Sequence, residues 1–501
     1  MFANVSARSV QRIYCFRKDY CTFKRSQMSK REGSSTIKKS FGQPTVDTHP
    51  FLIGQGEVTP GIQMTEFQDR RRKLMETILQ YTEDSRKTSD RHIVIIPSAV
   101  KQYMSDKIPY VFRQNTDFLY LTGCLEPDSC LVLTSAQNSK FTSTLFVRTK
   151  DNHSEVWDGP RTGPEEAVNL FGVDQALPTT ELENFVGCSM KSNKSVMVWY
   201  DVVNVVQPSV HKILTSNYRG NVNKIWEAPK EFLHKLRLIK SPAEIQLMRK
   251  SCEIASRGIS ETISASKPGS TEHDLYASVD YHCRINGAEY LAYPPVVAGG
   301  SRATIIHYIN NNQVLNHQDL VLMDAGCEYH GYASDITRTW PVGGAFTNAQ
   351  KILYEIVLDV QTELIELCYR FPTLDKLFDI MCSLLGRKLS LAGLIPQNSS
   401  NYELSRIAFQ FCPHHVSHYL GMDVHDTPSI PRSIKIEPGM VVTVEPGIYI
   451  PEQAKVPDEF KGIGIRIEDD VLITENGPEI LSKNCPKSLT DITLLAAQNQ
   501  R

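Results

Sequence analysis

The chain has 501 residues, with 54 basic against 56 acidic side chains and 41% hydrophobic content. That length exceeds one ordinary core and points to two or three soluble domains. Near-balanced charge gives no footprint for nucleic acid, no run of about 18 apolar residues offers a membrane span, and the twelve cysteines lack CxxC spacing, which argues against a disulfide framework or zinc ribbon and favours buried reduced thiols.

Residues 1–31 carry Arg8, Arg12, Arg17, Lys18, Lys24, Arg25, Lys30 and Arg31 against a single acid, Asp19. This is the composition of a mitochondrial transit peptide, with a disordered basic tail as the plainer alternative. The stretch 1–55 is expected to be leader and linker, and the protein mitochondrial, with a cytoplasmic pool left open. From Thr65 a charged helical segment runs through Phe67, Leu74, Ile78 and Leu79 to about Tyr81. Apolar strands follow at His92–Pro97, Ser129–Leu133, Thr144–Val147 and Val196–Tyr200. Strands alternating with helical stretches predict an α/β domain over 56–232. Within it, Trp157-Asp158-Gly159-Pro160-Arg161 places an aromatic and a cation in an expected tight turn, for which a solvated loop is the plainer reading.

A second domain is expected over 235–501. Ser241 can cap a helix, Pro242 suits its first position and Glu244 completes a capping box. A second helical stretch, Leu275 to Cys283, leads to the turn at Pro294-Pro295. Thr304-Ile305-Ile306-His307-Tyr308 has strand-like composition, where a lone histidine is usually structural. Then Val321 to Arg338 reads as a β-hairpin bracketed by Gly326 and Gly331. A turn centred between Tyr329 and His330 would set Asp324 directly across from Asp335. Facing carboxylates destabilise a sheet unless they share a proton or bind a cation.

Helices are expected over Asn348 to Cys368 and Thr373 to Leu391. Their stripes of Ile352, Ile356, Leu364 and Leu367, and of Leu377, Met381 and Leu385, belong to the core. His414, His418 and His425 crowd one loop without the glutamate of a zincin motif. Glu445 ends the apolar run Met440–Val444, and Pro446-Gly447 stops that strand. In Gly464–Glu468 the period of two turns Arg466 and Glu468 to the same face. Residues 451–462 read as a polar surface loop.

Taken together, Asp324, Asp335, His418, Glu445 and Glu468 resemble the five metal ligands of the pita-bread metallopeptidases, which include methionine aminopeptidase, prolidase and aminopeptidase P. The run His414 to Asp426, with Tyr293–Gly300 and Phe112–Gly123, resembles the aminopeptidase P branch. The resemblance implies an α/β N-terminal domain followed by an α+β pita-bread catalytic domain from about Leu236 to Leu481. It implies two divalent ions sharing a water as nucleophile. Asp335 and Glu468 would serve both ions, Asp324 one side, and His418 with Glu445 the other. Oxygen-dominated ligation favours manganese. The expected reaction releases the N-terminal residue from peptides with proline second.

Other roles follow from the same resemblance. Glu445 would shuttle the proton, His307 and His425 would donate to the substrate with His414 in support, Arg466 would orient a carboxylate, and Tyr449 would add a hydroxyl to the substrate wall. Trp157 and Arg161 would help wall the cleft, sometimes across a subunit boundary, which fits a homodimer. Two alternatives stay open: an Xaa-Pro dipeptidase, which shares every ligand, and a non-catalytic module that keeps only the fold.

Overall fold

The computed structural model describes residues 40–498 apart from 88, 137–139, 191–194, 219–223 and 397–398. The basic run of 1–31 lies outside the described residues.

Helix α1 (Met64–Asp84) buries Phe67, Leu74, Met75 and Ile78 along one stripe, as helical spacing dictates. Six strands form one mixed sheet: β1 (Arg91–Pro97), β2 (Cys130–Ala136), β3 (Phe141–Val147), β4 (Gln175–Pro178), β5 (Val196–Trp199) and β6 (Lys224–Glu227), in the order β6-β5-β1-β2-β3-β4. Alternation along the strands feeds two cores. Ile93, Ile95, Val132 and Val198 face one side, and Val94, Ile96, Leu131, Leu133 and Trp199 the other. The second core continues into Met248, Tyr332, Leu420 and Met422 of the C-terminal half, so the two halves share apolar packing. Helix α2 (Lys230–Leu238) spans the junction, carrying Phe232 and Leu233 into this core and Leu238 into the next.

Trp157 does not lie in a tight turn. It belongs to a short helix, Asn152–Asp158, whose first turn is capped by Asp151 and which ends at Gly159 with φ +83°. Asp151 accepts from the Ser154 N–H at 3.0 Å, and this cap wins over turn chemistry.

The C-terminal half opens with α3 (Pro242–Ala265), whose capping box of Ser241 and Glu244 is formed as expected, and α4 (Glu272–Ile285). Strands β7 (Val296–Gly299), β8 (Leu320–Ala325) and β11 (Ile336–Pro341) form an antiparallel sheet, while β9 (Cys327–Tyr329) and β10 (Tyr332–Ala333) make the tip of the hairpin. The hairpin exists, but its turn is one position further on. His330 (φ +49°) and Gly331 (φ +83°) occupy the two left-handed positions a two-residue turn demands. Tyr329 therefore pairs with Tyr332, and Asp324 with Thr337 rather than Asp335.

The strand expected around His307 is instead a 3-10 turn, Gly300–Thr304, followed by irregular chain, because Gly300 at φ +58° swings the backbone out of β7. Helices α5 (Asn348–Leu367) and α6 (Leu374–Leu391) cover the sheet. Ile352 is 39% exposed rather than core, because the buried stripe of α5 runs through Leu353, Val357, Val360 and Leu364. An additional helix, α7 (Asn401–Phe411), starts from a capping box of Ser400 and Glu403. Then come β12 (Val441–Val444), β13 (Gly447–Ile450), β14 (Ile463–Arg466), β15 (Asp469–Thr474) and β16 (Gly477–Ile480), followed by a helix, α8 (Leu489–Ala496); β12, β15 and β16 form one sheet, and β13 pairs with β14.

An ionic hub ties the halves together beside His425. The Arg237 guanidinium donates to Asp117 at 2.7 Å, to Asp423 at 2.8 Å and to Asp426, while Arg113 reaches Glu328 at 2.7 Å and Asp423 at 3.1 Å. Burial pushes the Asp423 carboxyl up, but Arg237 and Arg113 outweigh it and hold the group at about 2. A depressed carboxyl contributes stability above its unfolded value of about 4, and that contribution is lost as pH falls towards the folded value. Asp423→Asn is expected to remove about 1–2 kcal/mol of the stability lost between pH 4 and pH 2, after solvent screening. Denaturant titrations of both proteins across that window measure the difference.

Candidate active site and metal centre

Backbone breaks supply the carboxylates. Asp324 lies near the end of β8 and Asp335 just before β11, while Glu445 falls between β12 and β13, and Glu468 between β14 and β15. Gly326 makes the hairpin crossing possible, since a Cβ there would lie 1.7 Å from the Ser334 carbonyl oxygen. His418 is fixed through its backbone, which exchanges hydrogen bonds with Thr443 of β12. The Glu445 N–H donates to Val416 at 2.9 Å.

These side chains converge despite the shifted register. Ligand atoms of Asp335, His418 and Glu468 all lie within 4.8 Å of one another. The His418 Nε2 stands 3.4 Å from Asp335 Oδ2 and 3.6 Å from Glu445 Oε1. Its Nδ1 is 3.1 Å from the Tyr419 carbonyl, which can only accept, so the proton resides on Nδ1 and Nε2 offers a lone pair to the cluster. The Tyr293 hydroxyl lies 2.6 Å from Asp324 Oδ1 and also touches Asp335 Oδ1. It has one proton for two carboxyls, so without a cation one of them must be the protonated partner.

A second chain of contacts runs from Asp324 away from the cluster. Arg466 donates to Asp324 Oδ2 at 2.7 Å, to the Tyr449 hydroxyl at 2.7 Å and to Thr337 Oγ1 at 3.1 Å. Thr337 passes its own proton to Glu468 Oε2 at 2.6 Å, so Arg466 and Glu468 meet on the face that strand period predicts. Tyr449 is 2.9 Å from His414 Nε2, and His414 Nδ1 is 2.9 Å from the His415 carbonyl. His414 therefore donates from Nδ1 and accepts from Tyr449.

Electrostatics define what the cluster needs. Burial pushes the Asp335 and Glu468 carboxyls well up, reinforced by Asp324 for the first and Asp335 for the second. Glu445 is pushed up to about 7, mainly by burial, with His418 and Arg466 opposing. Burial, then the charge of Arg466, lowers His414 to about 4. His425 is lowered by burial, then by His418, against which its ring packs edge-on at 4.5 Å. His307, an exposed side chain, adds to the lowering of both His414 and His425.

Four carboxylates around one guanidinium carry an uncompensated negative charge that burial makes costly. An oxygen-rich donor set with one imidazole fits divalent cations of harder character. Trp157 and Arg161 are not among these contacts. Arg161 donates to the Thr149 carbonyl at 3.1 Å, and Trp157 is 79% exposed on its short helix.

Residues beyond the expected set also build the site. Asp470, fully buried, accepts the Asp335 N–H at 3.0 Å and the Cys252 thiol at 3.1 Å. Tyr293 and Thr337 link the ligands directly. The doublet Asp469-Asp470 beside Glu468 was the signal in the chain for Asp470. For Tyr293 it was the aromatic residue before the proline turn.

Comparison with known proteins agrees with this geometry. Residues 246–475 match the family model for metallopeptidase family M24, and residues 67–199 match the aminopeptidase P N-terminal domain. Human Xaa-Pro aminopeptidase 3 is 44% identical over 466 residues, covering 91% of each chain. The mitochondrial intermediate cleaving peptidase 55 of Arabidopsis thaliana is 39% identical, covering 94% of this chain and 91% of its own. Among solved structures, zinc-substituted Escherichia coli aminopeptidase P in complex with product superposes with a TM-score of 0.78 at 34% identity, covering 88% of this chain and 99% of that one. With both domain models, near full-length coverage and this cluster of carboxylates in agreement, the chain belongs to metallopeptidase family M24, within its Xaa-Pro aminopeptidases.

Proposed function

We propose that this chain releases the N-terminal residue from peptides with proline in second position, using divalent ions held by Asp324, Asp335, His418, Glu445 and Glu468. The observation that carries this reading is the convergence of Asp335, His418 and Glu468 on one point, with Asp324 and Glu445 beside them. When bound, two such ions supply the Lewis acidity that activates water and stabilises developing negative charge. Manganese is the proposed ion, supported by the oxygen-rich donors.

Residue roles follow from position. Glu445 takes the proton of the attacking water and returns it to the leaving nitrogen. Proline's tertiary amide nitrogen carries no hydrogen, so it leaves well only when protonated. His307 and His425, both exposed, donate to the scissile carbonyl and the adjoining peptide, with His414 in support. Arg466 orients Asp324 and, with Tyr449, lines the substrate wall. Arg466→Lys loses the three-way fork, and kcat/KM is expected to fall about 10–100-fold with metal content retained; steady-state kinetics beside elemental analysis check it.

The division at 56–232 and 235–501, the mitochondrial address with a leader in 1–55, and a homodimer belong to the same proposal. A relative named as mitochondrial and the basic N-terminus support the address. Residues 1–55 fused to a fluorescent protein should carry it to mitochondria, and a diffuse signal would remove the leader. The dimer is supported by the hairpin of Tyr103–Ser105 and Ile108–Pro109, which exposes Tyr103, Met104, Ile108, Tyr110 and Val111. Lys101 joins its base to Asp158 at 2.7 Å, next to Trp157, so a partner seated there would meet Trp157 and Arg161. Ile108→Glu should yield monomer by light scattering.

The deciding experiment measures bound metal and release of the first amino acid from Xaa-Pro dipeptides and longer Xaa-Pro peptides, with and without chelator. Release from longer peptides, abolished by chelation, supports the reading. Cleavage of dipeptides alone would make the chain a dipeptidase. Less than one ion per chain without release would leave a binding module.

A further inference from the structure

The segment that bears His307 has almost no regular structure. Between the end of β7 and the start of β8 only the 3-10 turn at Gly300–Thr304 is repetitive, and Ile305 and Ile309, on either side of His307, are exposed. A side chain on such a stretch loses reach and orientation unless something outside the segment fixes its backbone. One residue does so from both sides.

Glu272, the first residue of α4, is fully buried, and among the described residues its carboxylate hydrogen bonds are all to this segment and the end of β7. Oε1 accepts from the Gly299 N–H at 2.9 Å and from Arg302 Nε at 2.7 Å, upstream of His307. Oε2 accepts from the Tyr308 hydroxyl at 2.9 Å and from the Gln313 N–H at 3.0 Å, downstream of it. The Glu272 N–H donates to the Gln313 carbonyl at 2.9 Å, which closes the clasp. Asn311, buried at φ +48°, adds a second tie, accepting from the Val297 N–H at 2.9 Å and donating to the Pro295 carbonyl at 2.8 Å. Only an ionised carboxylate offers acceptors on both oxygens without a competing donor, and a glutamine would turn an N–H₂ toward one pair of donors.

We infer that Glu272 is a positioning residue for the peptidase reaction, a four-point clasp that holds the 299–313 segment so that His307 meets the substrate over the metal cluster. This rests on the proposed role of His307. None of these Glu272 contacts is to a proposed metal ligand, so its effect must pass through the segment it holds.

The test is a double-mutant cycle on the full-length, metal-loaded enzyme with an Xaa-Pro tripeptide, read beside hydrogen exchange. Glu272→Gln should lower kcat/KM about 10–100-fold, leave metal content unchanged, and speed amide exchange in 299–313 while leaving the ligand-bearing strands protected. In a His307→Ala background the same substitution should change kcat/KM less than about twofold, because the clasp then has no histidine to place. Tyr308→Phe, which removes one donor and keeps the fold, should give a smaller loss of the same kind, and it carries the test should Glu272→Gln not fold. Two results overturn the inference. If His307→Ala leaves kcat/KM intact, His307 has no part in the reaction. If His307→Ala is damaging and Glu272→Gln, or Tyr308→Phe in its place, adds its full loss on top, the clasp does not act through His307.

Discussion

Asp335→Asn is expected to cost about 10³-fold or more in kcat/KM, the scale of losing several kcal/mol of metal-derived transition-state stabilisation, and yet to raise the melting temperature of the metal-free protein. Both effects have one source. Asp335 is buried against Asp324, near Glu468, and across from His418. With ions bound, its negative charge is an asset; without them, it repels its neighbours where water cannot screen it. The sign with pH follows. Buried acids whose folded pKa lies above the unfolded value bind more protons when folded, so metal-free stability falls as pH rises through that window. For Glu445 the window runs from about 4.5 to about 7. Metal-free wild type should therefore melt higher at pH 5 than at pH 7, apart from other titrations, and Asp335→Asn should flatten that slope. Excess divalent metal should reverse the order, stabilising wild type by about 4 kcal/mol at a thousandfold excess over Kd and the variant by less. Scanning calorimetry with chelator and with metal reads all of this. A metal-free variant that melts below wild type would show that Asp335 is not strained by its neighbours.

How much of this was legible before any coordinates depended on whether the signal was periodic. Strands β1, β2, β3 and β5, and helices α1, α3, α4, α5 and α6, follow from apolar period and capping residues, and the family motifs single out carboxylates that the fold brings together. The hairpin between Asp324 and Asp335 was legible as a hairpin, but its register was not. Gly331 marks a turn without saying which residue shares it, and the positive φ of His330 is decided by fit. The clasp around His307 was invisible because Glu272 and Gln313 are far apart in sequence and carry no motif between them. The strand-like Thr304–Tyr308 misled for a related reason, since its β-branched residues do not pair with a strand, and Gly300 had already turned the chain away. α7 was missed although Ser400 and Glu403 announced it. Charged residues in the interior are the hardest class, because an arginine reads as surface until its partners are known.

Arg338 shows the consequence, and Arg338→Met is expected to cost about 3–5 kcal/mol of stability, the range for removing one partner of a buried ion pair. This arginine lies in the middle of β11 with no exposed surface. It donates to Asp469 Oδ1 at 2.8 Å and to four carbonyls: Thr337 at 2.9 Å, Glu468 at 2.6 Å, Cys485 at 2.8 Å and Pro486 at 2.9 Å. Methionine fills a similar volume but gives up all five hydrogen bonds, and of the four carbonyls that of Thr337 keeps the Glu468 N–H at 3.1 Å. Asp469 would keep Lys487 at 2.6 Å, Ser482 at 2.6 Å and Gln361 at 2.7 Å, so the loss should sit toward the lower end. Arg338→Lys keeps the charge but not the fork, and should cost less. Activity should suffer as well, because Arg338 grips the carbonyl of a proposed metal ligand, Glu468, while Thr337 beside it holds that ligand's carboxylate. Adding Asp469→Asn to Arg338→Met separates the two contributions. If charge pairing dominates, the double variant should be less destabilised than the sum of the singles, since neither charge is left alone. If the carbonyls dominate, the effects should add. Denaturant unfolding of the four proteins distinguishes these, and a loss below about 1 kcal/mol for Arg338→Met would mean that the strands around Glu468 rely on their apolar faces instead.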